Sequence, residues 1–128
     1  MERTQTMSFG DFLQEKRKEN ELTLRALAEK LGWSAPYLTD IEKGRRNPPD
    51  LEKLNMLADI FNLSEDEKKE MMELAGKKRE TIAPDLPEYI MEHDYVAAAL
   101  RTARDLDAGR DVWEEFVREL KQRKGETV

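Results

Sequence analysis

The chain has 128 residues, 38% hydrophobic and 39% charged, with no cysteine and a formal net charge of −6. That length permits one domain with an appendage but not two full-sized domains, and the missing cysteines exclude disulfides and thiolate metal ligands, as suits a reducing compartment. No run of about 18 apolar residues is present to span a bilayer, and MERTQTMSFGDF lacks the basic start and apolar core of a secretory signal, so a cytoplasmic protein without membrane contact is expected. The acidic balance argues at first against a nucleic-acid partner. It is unevenly placed, however: 15 basic residues stand against 16 acidic ones through residue 79, and 7 against 12 beyond it. The expected division is therefore a near-neutral unit over 1–79 and an acidic segment over 80–128.

No stretch alternates at period two, so every element is expected to be helical and the fold class all-α. Ser8 caps a first helix over about 9–19, with Phe9, Phe12 and Leu13 on one side and the cations Lys16, Arg17 and Lys18 near its end, where they favour the helix dipole. Thr23 precedes a second helix whose stripe is Leu24, Leu27, Ala28 and Leu31, with Gly32 placed for a left-handed C-terminal residue. Ser34 caps a third helix over 34–43, Pro36 falls in its first turn, where the missing N–H costs no helical bond, and Gly44 closes it. Pro48 and Pro49 keep the next loop extended until Asp50 caps a fourth helix carrying Leu51, Leu54, Ala58 and Phe61. Ser64 and Glu67 form a capping-box pattern for a fifth helix over about 65–79.

KRETIAPDLP, residues 78–87, has the prolines and polarity of a linker. Three short amphipathic helices are expected after it, marked by Leu86, Tyr89 and Ile90, then Val96, Ala99, Leu100 and Ala103, then Val112, Trp113, Phe116, Val117 and Leu120. Such short helices bury little alone and are expected to pack on the first unit or on a second copy.

Only Gly32 and Trp33 separate helices 2 and 3, which forces a sharp turn and a close crossing. Ala28 and Gly32 supply the small residue and the glycine that this needs, and Leu27, Leu31, Trp33, Leu38 and Ile41 form the inward face. Ala35, Pro36, Thr39, Asp40 and Lys43 are left as an outward face without a large apolar side chain.

LTLRALAEKLGWSAPYLTDIEKGRRNPPDLEKLNMLA resembles the Cro/repressor-type helix-turn-helix family, the xenobiotic-response-element-like regulators of bacteria and phages, over about residues 8–63. The resemblance implies a five-helix repressor-like DNA-binding domain whose third helix enters the major groove of double-stranded DNA. Carried over by position, it places Ala35, Pro36, Thr39, Asp40 and Lys43 at base edges or nearby phosphates, Ser34 and Tyr37 at the groove margin, and Arg25, Arg45, Arg46 and Asn47 at phosphates. Leu24 departs from the family, which often has a phosphate-binding glutamine there. The early reading face also lacks Arg, Gln and Asn, which leaves contacts to thymine methyls, an Asp40 contact to a cytosine amino group, and shape readout.

Asp40 has a competing structural role, as partner of Lys43, Arg45 or Arg46. Trp33 reads as core, and Met71 and Met72 as packing or, alternatively, as an adaptable binding face. His93 stands alone, so no metal or cofactor is expected; Ser8, Ser34 and Ser64 are explained as caps, so no enzyme is expected. The functional expectation is a sequence-specific transcriptional regulator, a repressor binding palindromic DNA as a homodimer, with the C-terminal segment as dimer contact. The alternative is a protein-interaction module, such as the antitoxin of a toxin pair or an adaptor that a protease removes from DNA.

Overall fold

A computed structural model describes residues 7–125; the ends of the two expected segments, 1–6 and 126–128, lie outside the described residues. Among the described residues there are eight helices and no strand: α1 (Phe9–Glu19), α2 (Leu24–Leu31), α3 (Ala35–Glu42), α4 (Leu51–Ile60), α5 (Glu65–Arg79), α6 (Pro87–Glu92), α7 (Asp94–Asp105) and α8 (Arg110–Arg123). The chain divides after Pro87 into two compact units, the first carrying α1–α5.

Side chains preceding each helix fix where the first five begin. The N–H of Asp11 donates to Ser8 Oγ, that of Ala26 to Thr23 Oγ1, that of Tyr37 to Ser34 Oγ, that of Lys53 to Asp50 Oδ1 and that of Glu67 to Ser64 Oγ. Each cap is worth about 1 kcal/mol because it satisfies an N–H that the helix leaves unpaired. Ser64 and Glu67 close the expected capping box, and Ser8 closes a second one with Asp11, whose shorter carboxylate accepts from the Ser8 N–H at 3.2 Å.

The first unit has a continuous core of Phe9, Phe12, Leu13, Leu27, Leu31, Leu38, Ile41, Leu54, Leu57, Phe61, Met71 and Met72, with Ala28, Ala58, Ala75 and Ala83 filling between them. Both methionines are therefore packing residues. Gly10 lies against α3 so closely that a Cβ there would stand 2.2 Å from the Glu42 carbonyl oxygen. Gly76 has the same role against the segment after α5, where a Cβ would meet the Ala83 backbone nitrogen at 2.8 Å. Residues 78–87 have a linker's composition, yet Ala83 is buried in the core, and the first compact unit runs to Pro87.

Two cations of α1 carry specific partners in addition to any favourable placement in the helix dipole. Lys16 is 3% exposed, and its Nζ donates to Glu67 Oε2 at 2.6 Å and Glu19 Oε1 at 3.2 Å. Burial alone would lower the lysine pKa, yet the two hydrogen-bonded carboxylates outweigh it and raise the value. The same bond, helped by the Ser64 N–H, holds Glu67 down at about 2. Arg17 joins α1 to α3 through Glu42, with Nε 2.7 Å from Oε2 and side chains 11% and 6% exposed. A nearly buried pair of this kind contributes orientation, and breaking one half leaves a charge uncompensated.

The second unit is built differently. α6, α7 and α8 contain no buried residue. Val112, Trp113, Phe116, Val117 and Leu120 fall on one stripe of α8 as expected, each between 38% and 50% exposed, with the Trp113 and Phe116 rings edge-to-face at 6.0 Å. His93, just before α7, is held by its Nδ1 contact to the Tyr89 carbonyl at 2.8 Å and lies between the Tyr89 and Tyr95 rings.

Candidate nucleic-acid interface

Gly32 adopts φ +75° and ψ +26°, the left-handed conformation that a side chain resists, and this reverses the chain between α2 and α3. The Trp33 N–H then donates to the Ala28 carbonyl at 3.0 Å, which satisfies the end of α2 and sets the angle at which α3 departs. Leu27, Ala28, Leu31, Leu38 and Ile41 are buried beneath the turn. Trp33, expected in the core, lies at its margin, half-buried, with its ring edge-to-face against Tyr37 at 5.5 Å.

The outward side of α3 carries the residues singled out in the sequence. Pro36 and Lys43 are exposed, Thr39 and Asp40 half-exposed, and Ser34 is exposed with its hydroxyl committed to the cap. Ala35 and Tyr37 lean on the core, so the expected face narrows at its beginning to Pro36 and what Ala35 leaves uncovered. Arg25 is exposed in the first turn of α2. Arg45, Arg46 and Asn47 are all exposed just past α3, after Gly44 turns the chain at φ +76°.

Of the partners open to Asp40, Arg45 is the one found: its Nη1 lies 3.6 Å from Asp40 Oδ1, both side chains being well exposed. Such a pair holds its geometry weakly and is screened by salt. Arg46 instead places its guanidinium carbon 5.0 Å from the centre of the Tyr37 ring. Lys53, in the first turn of α4, brings Nζ to 5.1 Å from the same ring and 5.8 Å from the Trp33 ring. The α2–α3 turn, α3 itself, the loop after it and α4 thus bring a tryptophan, a tyrosine and two cations to one edge of α3, where ring faces attract and orient the cations. The sequence pattern does not single out Lys53. Its one signal is its place three residues after the Asp50 cap, and only the fold brings that turn beside Tyr37.

Two further cations meet the loop from α5. Lys78 Nζ donates to the Gly44 carbonyl at 3.2 Å, and Arg79 Nη2 donates to the Pro48 carbonyl. Among the described residues no group of three histidine, cysteine or carboxylate side chains stands ready to hold a metal ion, and no helix is long and apolar enough to cross a membrane.

A two-helix unit with a left-handed glycine turn, set in a bundle and followed by a cationic exit loop, defines a helix-turn-helix domain. Residues 8–71 match the model of the family described as helix-turn-helix domain, and the chain belongs to that family. It is 37% identical over 70 residues to a Deinococcus deserti protein named HTH-type transcriptional regulator DdrOP3. That alignment takes in 55% of this chain and 54% of the relative, so the chain spans about half the length of the protein it matches. Among solved structures, one titled SinR protein/SinI protein complex is similar over 92% of this chain and 99% of that one, at 22% identity and a TM-score of 0.45.

Proposed function

We propose that the protein is a sequence-specific DNA-binding transcriptional regulator of the Cro/repressor type, acting as a repressor, with α3 in the major groove. The observation that carries this reading is the outward side of α3, free of large apolar side chains and continued by the exposed Arg45, Arg46 and Asn47. Membership of the helix-turn-helix family and the name of the Deinococcus deserti relative support it. In this reading Pro36, Thr39, Asp40 and Lys43 face base edges or adjacent phosphates, with the exposed part of Ala35, while Ser34 and Tyr37 border the groove. Arg25, Arg45, Arg46 and Asn47 meet phosphates, and Lys53 joins them across the Tyr37 ring.

Because one recognition helix covers a single half-site, a two-fold dimer on a palindrome supplies the specificity that a genome of competing sites demands. The half-exposed stripe of α8 is the surface we assign to that dimer. The same stripe favours, as a second reading, a heterologous protein partner bound there.

Selection of bound fragments from random duplex DNA tests the first reading directly: a palindrome should be enriched, and no enrichment at low salt would overturn it. Replacing Arg45 and Arg46 together by alanine should weaken binding to all sequences and flatten the log–log salt dependence by about two units. Chains ending at Pro87 should fold, remain monomeric and bind DNA weakly; tight dimerisation of that fragment would remove α8 from the interface.

A further inference from the structure

The loop from Lys43 to Asp50 carries Arg45, Arg46 and Asn47, and its backbone has few ways to hold itself. Pro48 and Pro49 have no N–H to donate, and among the described residues the N–H groups of Arg46 and Asn47 enter no backbone hydrogen bond. Its first turn is closed by the Arg45 N–H on the Asp40 carbonyl at 2.8 Å, and its last residue caps α4. Between these points the hydrogen bonds that tie the loop to another element come from α5. Lys78 takes the Gly44 carbonyl and Arg79 the Pro48 carbonyl, two acceptors that bracket the Arg45–Asn47 stretch.

Cations in the last turn of a helix are ordinarily explained by its dipole and by its own terminal carbonyls. Here the acceptors lie 34 and 31 positions away along the chain, on the loop. The helix that carries the donors is firmly based, since Met71, Met72 and Ala75 anchor α5 in the core and Gly76 is pressed against Ala83, while Lys78 and Arg79 themselves lie on the exposed end of the helix. Resting on the DNA-binding reading above, we propose that Lys78 and Arg79 are positioning residues for DNA binding, which hold the phosphate-contacting loop in its bound shape through its carbonyls without touching phosphate. Binding then need not order the loop, and the entropy that ordering would cost is removed in advance.

The test compares the full chain with the double variant Lys78→Met and Arg79→Met, which keeps the apolar stems and removes both donors. Affinity is measured over a salt series for a random-sequence duplex and for the palindrome enriched by selection, and backbone ¹⁵N relaxation of Arg46 and Asn47 is recorded without DNA. Affinity should fall roughly tenfold for both duplexes, with the salt slope kept within about half a unit, because no phosphate contact is lost. Order parameters at Arg46 and Asn47 should drop, and Lys78→Arg with Arg79→Lys should restore both readouts. A slope reduced by about two units would make the two cations direct phosphate ligands and overturn the proposal. Unchanged affinity and unchanged order would overturn it as well, since the loop would then hold itself. Should Arg45→Ala with Arg46→Ala leave the slope intact, the DNA reading of the loop fails, and relaxation still decides whether α5 orders it. The single variants serve in the same way if the double variant does not fold.

Discussion

The two units use similar amphipathic helices to opposite ends. In the first, apolar stripes on five helices converge until Leu27, Leu38, Leu54, Leu57 and Ala75 have no exposed surface. In the second, α7 and α8 carry stripes as regular, yet Trp113, Phe116, Val117 and Leu120 stay 38–49% exposed. Periodicity tells which side of a helix seeks cover, but cover requires enough helices meeting at one place. Three helices do not provide it here, so the stripe of α8 stays half-exposed.

The difference is open to a direct challenge by matched truncations. Leu54→Ala removes a side chain with no exposed surface, and should cost about 3 kcal/mol through lost transfer energy and a residual cavity. That is a large fraction of the roughly 5–15 kcal/mol that holds a domain folded. Trp113→Ala removes a larger side chain from α8, and should change the unfolding of the first unit by less than about 0.5 kcal/mol while weakening self-association. Urea unfolding followed by α-helix circular dichroism, with sedimentation of the same samples, compares them. Equal losses of stability would mean that the stripe of α8 is already covered.

A smaller effect is expected where the first unit is tightest. Gly10→Ala places a Cβ against the Glu42 carbonyl at the end of α3, a contact that backbone shift alone can relieve. The cost should be about 2 kcal/mol, and the shift should be felt further along α1 at the Arg17–Glu42 pair. Unfolding midpoints and the backbone amide shifts of residues 40–46 would register both. Gly109→Ala, before α8, meets only the far end of the Asp111 side chain at 3.1 Å and should change little in comparison.

Much of the first unit is readable from the sequence because its signals are local. Ser8, Thr23, Ser34, Asp50 and Ser64 each act within three residues of themselves, and Gly32 and Gly44 turn the chain where they stand. What escapes such a reading depends on residues far apart in sequence. Gly10 reads as an ordinary helix residue until α3 crosses it, and Ala83 reads as linker until Gly76 admits it to the core. The same holds at the candidate interface. The outward side of α3 follows from helical period, and Arg45 is among the near neighbours open to Asp40, whereas Lys53 beside Tyr37 and the grip of Lys78 and Arg79 on the loop need the assembled bundle. Trp33 shows the limit of a position taken alone: it packs on the core and at the same time borders the cations of the interface.

The smallest expected effect sharpens the comparison through pH. Glu67 has its carboxyl held at about 2, against an ordinary value of 4.5, chiefly by the hydrogen bond from Lys16. A carboxylate with a depressed folded value adds stability that is complete above the ordinary value and is lost as pH falls from about 4.5 towards 2. The Glu67 side chain is 37% exposed, so solvent screening keeps its share to about 1 kcal/mol or less. Glu67→Gln removes the charge while keeping an acceptor for the Ser64 N–H, which separates the ion pair from the capping box. The protein has two tryptophans, Trp33 in the first unit and Trp113 in the second, so Trp113→Phe leaves Trp33 as sole reporter of the unit that contains the pair. In that background the urea midpoint should fall between pH 4.5 and pH 2 more steeply when Glu67 is kept than in the Glu67→Gln variant. Parallel declines would assign the acid sensitivity of the first unit to other carboxylates and leave the Lys16 bond with an orienting role alone.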